Sequence, residues 1–439
     1  MAGLLAAAVL SDFYESVTLV ERDVLPDEVT HRRGTSQSHH LHALMSRGSR
    51  ALGQLLPELP DDLVTAGAGF VDGTDPSTAY IRFGDHVLSR AGRFTNPHGI
   101  STHLASRPLL ETLVRRRVRA IENVTVLDGH EAIEPMVDLA GDVTGIRVAN
   151  RALAEEHQLD ADLVVAATGR SARTPAFLEA HGYGRPAEQL YTVNLNYTSQ
   201  FFTVPVGLIN EKTVLIAPTI ERSTGAGLLV YENDVVVLTL IGVAGQKLPT
   251  DFAGVMTSMA ELLPPHIITA LRAGEPLGPV RAHNYPASVW RRYDKMSRFP
   301  KGLLVIGDAV CSFNPVYGQG MTSAALQAIT LRDALRVGTD DLARRYFCAT
   351  TKKLRPIWRG NRFNDFAAIP ADDWRSVPKR FLNWYMDKFM AAAATDIVLT
   401  ETFVRILHLV EPASRLAHPA LLMRVIRSRR RPAPASAPA

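Results

Sequence analysis

The chain has 439 residues, of which 46% are hydrophobic, 21% charged and 7% aromatic, a balance that excludes a disordered, collagenous or small disulfide-stapled protein. The length allows two or three domains, one of which can be threaded through another. The net charge of +4 is local: without Arg424, Arg427, Arg429, Arg430 and Arg431 near the C-terminus, 43 basic residues face 44 acidic ones, so the body does not read as a nucleic-acid-binding surface.

In chain order, Gly3 to Leu10 reads as a helix, Ser16 to Val20 as a buried strand, and Glu21, Arg22 and Asp23 fall where that strand ends. The apolar start lacks the basic flank of a signal peptide. This is half of a βαβ unit whose first strand is missing. From His31 the run HRRGTSQSHHLHAL passes from a glycine turn into a helix expected to continue to about Leu56. Val71 to Ser89 has strand character. Ser106 to Ala120 is an amphipathic helix behind a Ser cap, with its arginines expected on the solvated face.

Val124 to Leu127, Gly145 to Ala149 and Leu163 to Thr168 are short strands, the last apolar throughout as in a parallel sheet covered on both faces. Between Tyr191 and Val243 four alternating segments (YTVNLNYTSQFFTV, TVLIAPT, GAGLLVY and DVVVLTLIGV) predict an antiparallel sheet distinct from the βα part. Leu303 to Ile306 is another buried strand, followed by a glycine-rich turn and a helix from about Met321 to Leu335. From Leu342 onward the chain reads as helical until the tail RPAPASAPA. An α/β layer interrupted by an antiparallel sheet, then resumed, implies two interleaved domains with a cleft between them. The stretch Met390 to Val410 is broken by Asp396, Glu401 and Arg405, and no run reaches the roughly 18 apolar residues of a membrane span. A soluble or peripheral cytoplasmic protein is expected.

Cys311 and Cys348 carry no CxxC spacing, which points to a reducing compartment and away from a zinc site; both are expected to be buried small hydrophobes. Among His39, His40 and His42 only the first and last share a helical face, and no carboxylate follows, so no metal is expected.

The informative segment is Gly302 to Thr322, GLLVIGDAVCSFNPVYGQGMT. A buried strand brings Gly307 and Asp308 to its C-terminal end, where ligands of open α/β sheets bind. Pro315, Gly318 and Gly320 then shape a turn that opens onto a helix N-terminus, which favours negative charge. Read alone, this is also an ordinary strand-turn-helix with Asp308 as a cap. A second feature is Glu21, whose distance from Gly3 suits an acidic residue binding a ribose hydroxyl if Gly3 is the last glycine of GxGxxG. The first two glycines and their strand would then precede Met1.

Together these features resemble the FAD-dependent monooxygenases of the aromatic-hydroxylase fold, whose second flavin motif reads GD followed by PxxGxG. A narrower likeness is to squalene-epoxidase-like enzymes and the flavin epoxidases of polyether-antibiotic biosynthesis. It rests on RRGTSQSHHLHAL, on ATGR at Ala167 to Arg170, and on FNPVYGQGM. The resemblance implies an α/β fold in which a Rossmann-like FAD-binding domain (1–70, 100–180 and 283–345) is interleaved with an antiparallel-sheet substrate domain (71–99 and 181–282). A C-terminal helical region (346–428) and a flexible basic tail (429–439) follow. Gly3, Glu21, Arg22, Arg33, Gln37, Arg107, Gly307, Asp308, Pro315, Gly318, Gly320 and Met321 are the implied cofactor-binding residues, and His40 and His42 carry over from the epoxidase segment.

The implied activity is epoxidation or hydroxylation of a hydrophobic polyketide, terpenoid or aromatic molecule through a flavin hydroperoxide, with O2 as co-substrate and NADPH or NADH as transient reductant. Trp384, Tyr385, Met386 and Phe389 are read as core rather than substrate cavity. The family's DGxxSxxR is here TGRSAR, with Thr168 and Ala172 in place of Asp and Ser, which bears on the source of electrons. Cys311 stands where many relatives have His. Alternatives are a flavin-dependent polyprenyl reductase, or a truncated or degenerate flavoprotein that binds ligand without turnover. No nucleic-acid partner is expected. The C-terminal arginines suggest weak contact with an anionic membrane surface.

Overall fold

The computed structural model describes residues 1–97, 99–171, 173–219, 221–368 and 377–428. The chain opens with α1 (Ala2–Leu10) and β1 (Val17–Val20), then a 3-10 segment over Arg33–His39, α2 (Ser46–Leu55), α3 (Leu59–Thr65) and β2 (Gly69–Val71). Next come β3 (Ala79–Phe83), β4 (His86–Val87), β5 (Thr102–Leu104), α4 (Arg107–Arg119) and β6 (Val124–Leu127). A meander of β7 (His130–Val137), β8 (Val143–Asn150) and β9 (Glu155–Asp160) leads to β10 (Val164–Ala166) and α5 (Thr174–Ala180).

The middle of the chain supplies β11 (Glu188–Thr203), β12 (Thr213–Ile216), β13 (Thr224–Val230) and β14 (Val235–Gly242). Then follow α6 (Phe252–Ala260), α7 (Pro265–Ala273) and β15 (Glu275–Arg291). It closes with β16 (Leu303–Val305), β17 (Cys311–Ser312), α8 (Gly320–Leu335), α9 (Leu342–Ala368), α10 (Val377–Ala393), α11 (Ile397–Leu407) and α12 (Pro419–Ser428).

Two parallel pairs, β1 with β6 and β10 with β16, form the βα layer, and no ladder joins one pair to the other. The seven residues Leu4 to Leu10 of α1 are all buried, because the helix packs on β1, β10, α4 and α8. The middle of the chain builds an eight-stranded sheet in the order β17-β15-β11-β14-β13-β12-β3-β4, antiparallel except where β12 runs alongside β3. Its period-2 alternation separates two faces. Phe202, Leu228, Leu238 and Leu240 pack against Val255, Met259, Ile267 and Leu271 of α6 and α7. Tyr197, Leu229, Thr239 and Ile241 turn the other way, toward a cavity. The C-terminal helices pack Tyr385, Phe389, Met390 and Phe403 against Ile81 and Leu88 at the far edge of this sheet.

Four expectations are corrected. The helix expected from His31 to Leu56 is instead a 3-10 segment, an extended stretch through His40 to Met45, and α2 from Ser46. The extended stretch is held from outside: the Tyr231 hydroxyl accepts from His42 N–H at 2.7 Å and donates to His42 C=O at 2.9 Å, and Thr239 Oγ1 accepts from Leu41 N–H. The α4 arginines are not all solvated, since Arg107 and Arg115 are buried and Arg115 donates to the Pro26 carbonyl. Cys348 is exposed on α9, whereas Cys311 is buried. Trp384 is also exposed; Tyr385 and Phe389 belong to the core, but Tyr385 and Met386 border the cavity as well.

Candidate functional site

A cavity of about 3320 Å³ lies between the large sheet, the two parallel pairs, α8 and the C-terminal helices. Ordinary ligand pockets hold about 300 to 1,000 Å³, so there is room for more than one molecule, and part of the space lies between β1 and β10. Gly3, Glu21, Arg22, Gln37, Arg107, Gly307, Asp308, Pro315, Gly318, Gly320 and Met321 all border it, as do His40 and His42. The side chain of Arg33 lies outside the described residues, as do Ala172 and the tail arginines Arg429, Arg430 and Arg431.

Strand β16 ends at the cavity and delivers Gly307 and Asp308. Gly307 has φ +75°, and a Cβ there would sit 2.6 Å from the Ala2 Cβ, so glycine alone lets the start of α1 approach this turn. The Asp308 side chain is exposed to the cavity while protein encloses it on its other sides. Its carboxylate makes no hydrogen bond or ion pair with the described residues. Desolvation pushes its pKa above the ordinary value, against the pull of Arg107, the Met1 amine and Arg170.

The following turn is capped by Asn314, whose Oδ1 accepts from Val316 N–H at 3.0 Å, and ends at Gly318 with φ +62°. A Cβ on Gly320 would meet nothing within 4 Å. The N-terminus of the 16-residue helix α8 therefore faces open cavity, with its unpaired N–H groups and positive dipole end available to an anionic or electron-rich ligand.

Opposite lies a charged cluster that sequence reasoning only half found. Arg32 is fully engaged, bonding Glu111 at 2.6 Å and Asp23 at 2.9 Å and lying 3.5 Å from Glu21. Arg107 reaches Glu111 only at 3.3 Å, so its guanidinium keeps donor capacity for a ligand. Burial alone would raise the Glu111 pKa, but the Met1 amine, Arg107 and Arg32 outweigh it and hold the group at about 2. Glu21 Oε1 accepts from Asp23 N–H at 3.0 Å, so it meets a ligand as part of this cluster rather than as a lone carboxylate. The signals for the missed members were Arg32 beside Arg33 and the i, i+4 spacing of Arg107 and Glu111.

The sheet wall is polar at one place. His40 Nδ1 is 2.8 Å from Ser199 Oγ, and the His40 ring lies 5.5 Å from that of His283. The Arg170 guanidinium stacks 4.4 Å over the Tyr285 ring and donates to the Ala287 carbonyl at 2.8 Å, which ties the TGRSAR turn to β15. Burial raises the Cys311 thiol well above its ordinary range, so it is no nucleophile. No group of three or more His, Cys, Asp or Glu among the described residues is arranged to hold a metal ion. No helix among them is long and apolar enough to cross a membrane.

This fold, an α/β layer interleaved with a large sheet and closed by C-terminal helices, is that of flavin-dependent monooxygenases and halogenases. Similar solved structures include flavin-dependent brominase Bmp2, with 13% identity, 98% of this chain and 96% of that chain covered, and a TM-score of 0.65. PqsL of Pseudomonas aeruginosa, a probable FAD-dependent monooxygenase, shows 15% identity over 84% of this chain and 93% of its own, with a TM-score of 0.64. The p-nitrophenol 4-monooxygenase PnpA of Pseudomonas putida shows 15% identity over 94% and 96%, with a TM-score of 0.65. No protein-family model matches the chain. In sequence, the chain belongs to the family of protein Rv3254 of Mycobacterium tuberculosis, to which it is 39% identical over 420 residues, 92% of this chain and 87% of that protein.

Proposed function

We propose that the chain binds FAD and acts as a monooxygenase, epoxidising or hydroxylating a hydrophobic small molecule with O2 and with NADPH or NADH as reductant. The observation that carries this reading is Asp308, a desolvated carboxylate without a partner among the described residues at the end of a parallel strand, facing the cavity beside the open N-terminus of α8. A carboxylate left in that position costs stability unless a ligand hydroxyl donates to it. The residues fit FAD: Asp308 would accept from the ribityl chain, and the Gly318 to Met321 turn would cradle the pyrimidine edge. Arg107 would meet the diphosphate, and Glu21 the adenosine ribose. Bound FAD would supply the oxygen activation. The chain's own part is to orient substrate against the apolar side of β12 to β14 and, through the C-terminal helices, to exclude water.

The test is to purify the full chain and its Asp308→Ala variant, record the flavin absorbance, and quantify released FAD. Flavin in the wild type and at least a tenfold lower occupancy in a variant with unchanged circular dichroism is expected. Equal occupancy in the two proteins, or none in the wild type, overturns the assignment. Substrate-dependent oxygen uptake then separates a monooxygenase from a reductase of polyprenyl groups.

A further inference from the structure

Burial lowers His40 to about 3 and His42 to about 4, so both imidazoles are neutral at physiological pH. The position of one proton on each ring therefore decides what the cavity wall offers a ligand. Hydrogen counting fixes both. Leu41 N–H donates to Thr239 Oγ1 at 3.2 Å, Thr239 Oγ1 lies 2.7 Å from Ser199 Oγ, and Ser199 Oγ lies 2.8 Å from His40 Nδ1. Ser199 and Thr239 are 1% and 2% exposed, so solvent does not complete their bonding.

If His40 Nδ1 carried the proton, Ser199 would donate to Thr239, and the Thr239 hydroxyl hydrogen would be buried without an acceptor among the described residues. If Nδ1 is bare, Thr239 donates to Ser199, Ser199 donates to His40, and every hydrogen is paired. The penalty for an unpaired buried hydroxyl selects the second arrangement, which leaves the His40 proton on Nε2. His42 is the reverse. Its Nδ1 lies 2.9 Å from the His40 carbonyl oxygen, which can only accept, so Nδ1 holds the proton and Nε2 presents a lone pair. Both side chains border the cavity, and neither Nε2 has a protein partner among the described residues.

We propose that His40 and His42 form a reading point for a hydroxyl-bearing substrate, with His40 Nε2–H donating to, and His42 Nε2 accepting from, the oxygen functions of an otherwise apolar molecule. The inference rests on the cavity being the substrate chamber, and it narrows the substrate class to phenols, enols or alcohols rather than bare hydrocarbons. His283 on β15 lies beside His40 and belongs to the same wall.

The full chain labelled with 15N-histidine tests it, with ring resonances assigned by their loss in His40→Phe and His42→Phe. At pH 7 the expected pattern is Nε2–H for His40 and Nδ1–H for His42. An Nδ1–H tautomer or an imidazolium at His40 overturns the proposal. Ser199→Ala removes the hydroxyl that orders His40 and should populate both tautomers; an unchanged His40 pattern in that variant overturns the relay.

Calorimetric titration with 2-naphthol and with naphthalene completes the test. The ratio of their affinities should fall about tenfold in His40→Phe, the worth of one hydrogen bond to a neutral donor, and an unchanged ratio overturns the reading point. Flavin content and oxygen uptake of the same preparations judge the monooxygenase reading separately, since neither the tautomers nor the naphthol ratio depends on them.

Discussion

Asp308 and Glu111 border one cavity, and their surroundings drive them in opposite directions. Glu111 is buried yet held at about 2, because cations flank it. Asp308 feels some of the same cations, but desolvation dominates and raises it above 3.8. A carboxyl raised in the folded state is neutral in both states well below 3.8. As pH rises from there through the raised folded value, the unfolded chain loses its proton first and stability is lost, and above that value the loss stays constant. Asp308→Asn should therefore stabilise the flavin-free protein at pH 7, by a margin that shrinks as pH falls toward 3.8, while weakening flavin retention. Urea unfolding of both proteins at several pH values checks this. A destabilising effect at pH 7 would mean that Asp308 serves the fold, as a cap does.

At the scale of elements, α4 shows how a local sequence sets a functional position. Ser106 accepts from Leu109 N–H at 3.2 Å as the N-cap, Pro108 fits the first turn, and the helix then presents Arg107 and Glu111 one turn apart on the buried side. Ser106 also binds Glu232, in the turn between β13 and β14, through its hydroxyl and its N–H, so the cap is a joint between the βα layer and the large sheet. Ser106→Ala should cost about 1 to 2 kcal/mol, read from the denaturation midpoint, with an unchanged far-UV spectrum.

Such caps and periodicities made α1, α4, α8, β1, β6, β10, β16 and the four sheet segments legible in the sequence. The stretch His40 to Met45 was not, because its extended form depends on Tyr231 and Thr239, which lie some 190 residues away in the chain. Strand β9, Glu155 to Asp160, was also illegible: it is polar and mostly exposed, and it exists through its ladder with β8. The glycine turn around Asp308 could be read because all its chemistry is contiguous. The ring of charges around Arg107 could be read only in part, since Asp23, Arg32 and Glu111 meet only in the fold.

The whole molecule closes its cavity with residues that follow the last strand of the sheet by more than seventy positions. Met386, Met390, Phe403 and Leu407 of α10 and α11 line the chamber, and beside their apolar packing a carboxylate ties α11 to the segment at Thr95 and Asn96. Glu401, 5% exposed, accepts from Thr95 N–H at 2.8 Å, from the Thr95 hydroxyl at 2.9 Å and from Asn96 N–H at 2.8 Å, while Arg405 donates to the Asn96 carbonyl at 2.8 Å. Three donors converge on two oxygens. Replacing either oxygen by an amide NH2 sets donor against donor, so even the isosteric Glu401→Gln breaks at least one of these bonds to the charged carboxylate and should cost about 1.5 to 3 kcal/mol. The loss should be local, because the core beneath α6 and α7 does not touch this joint. Hydrogen exchange should accelerate at residues 94–100 and in α11 and stay unchanged in β11, β13 and β14. If exchange accelerates uniformly, α11 belongs to the same cooperative unit as the sheet, and closure of the chamber cannot be adjusted apart from the stability of the fold.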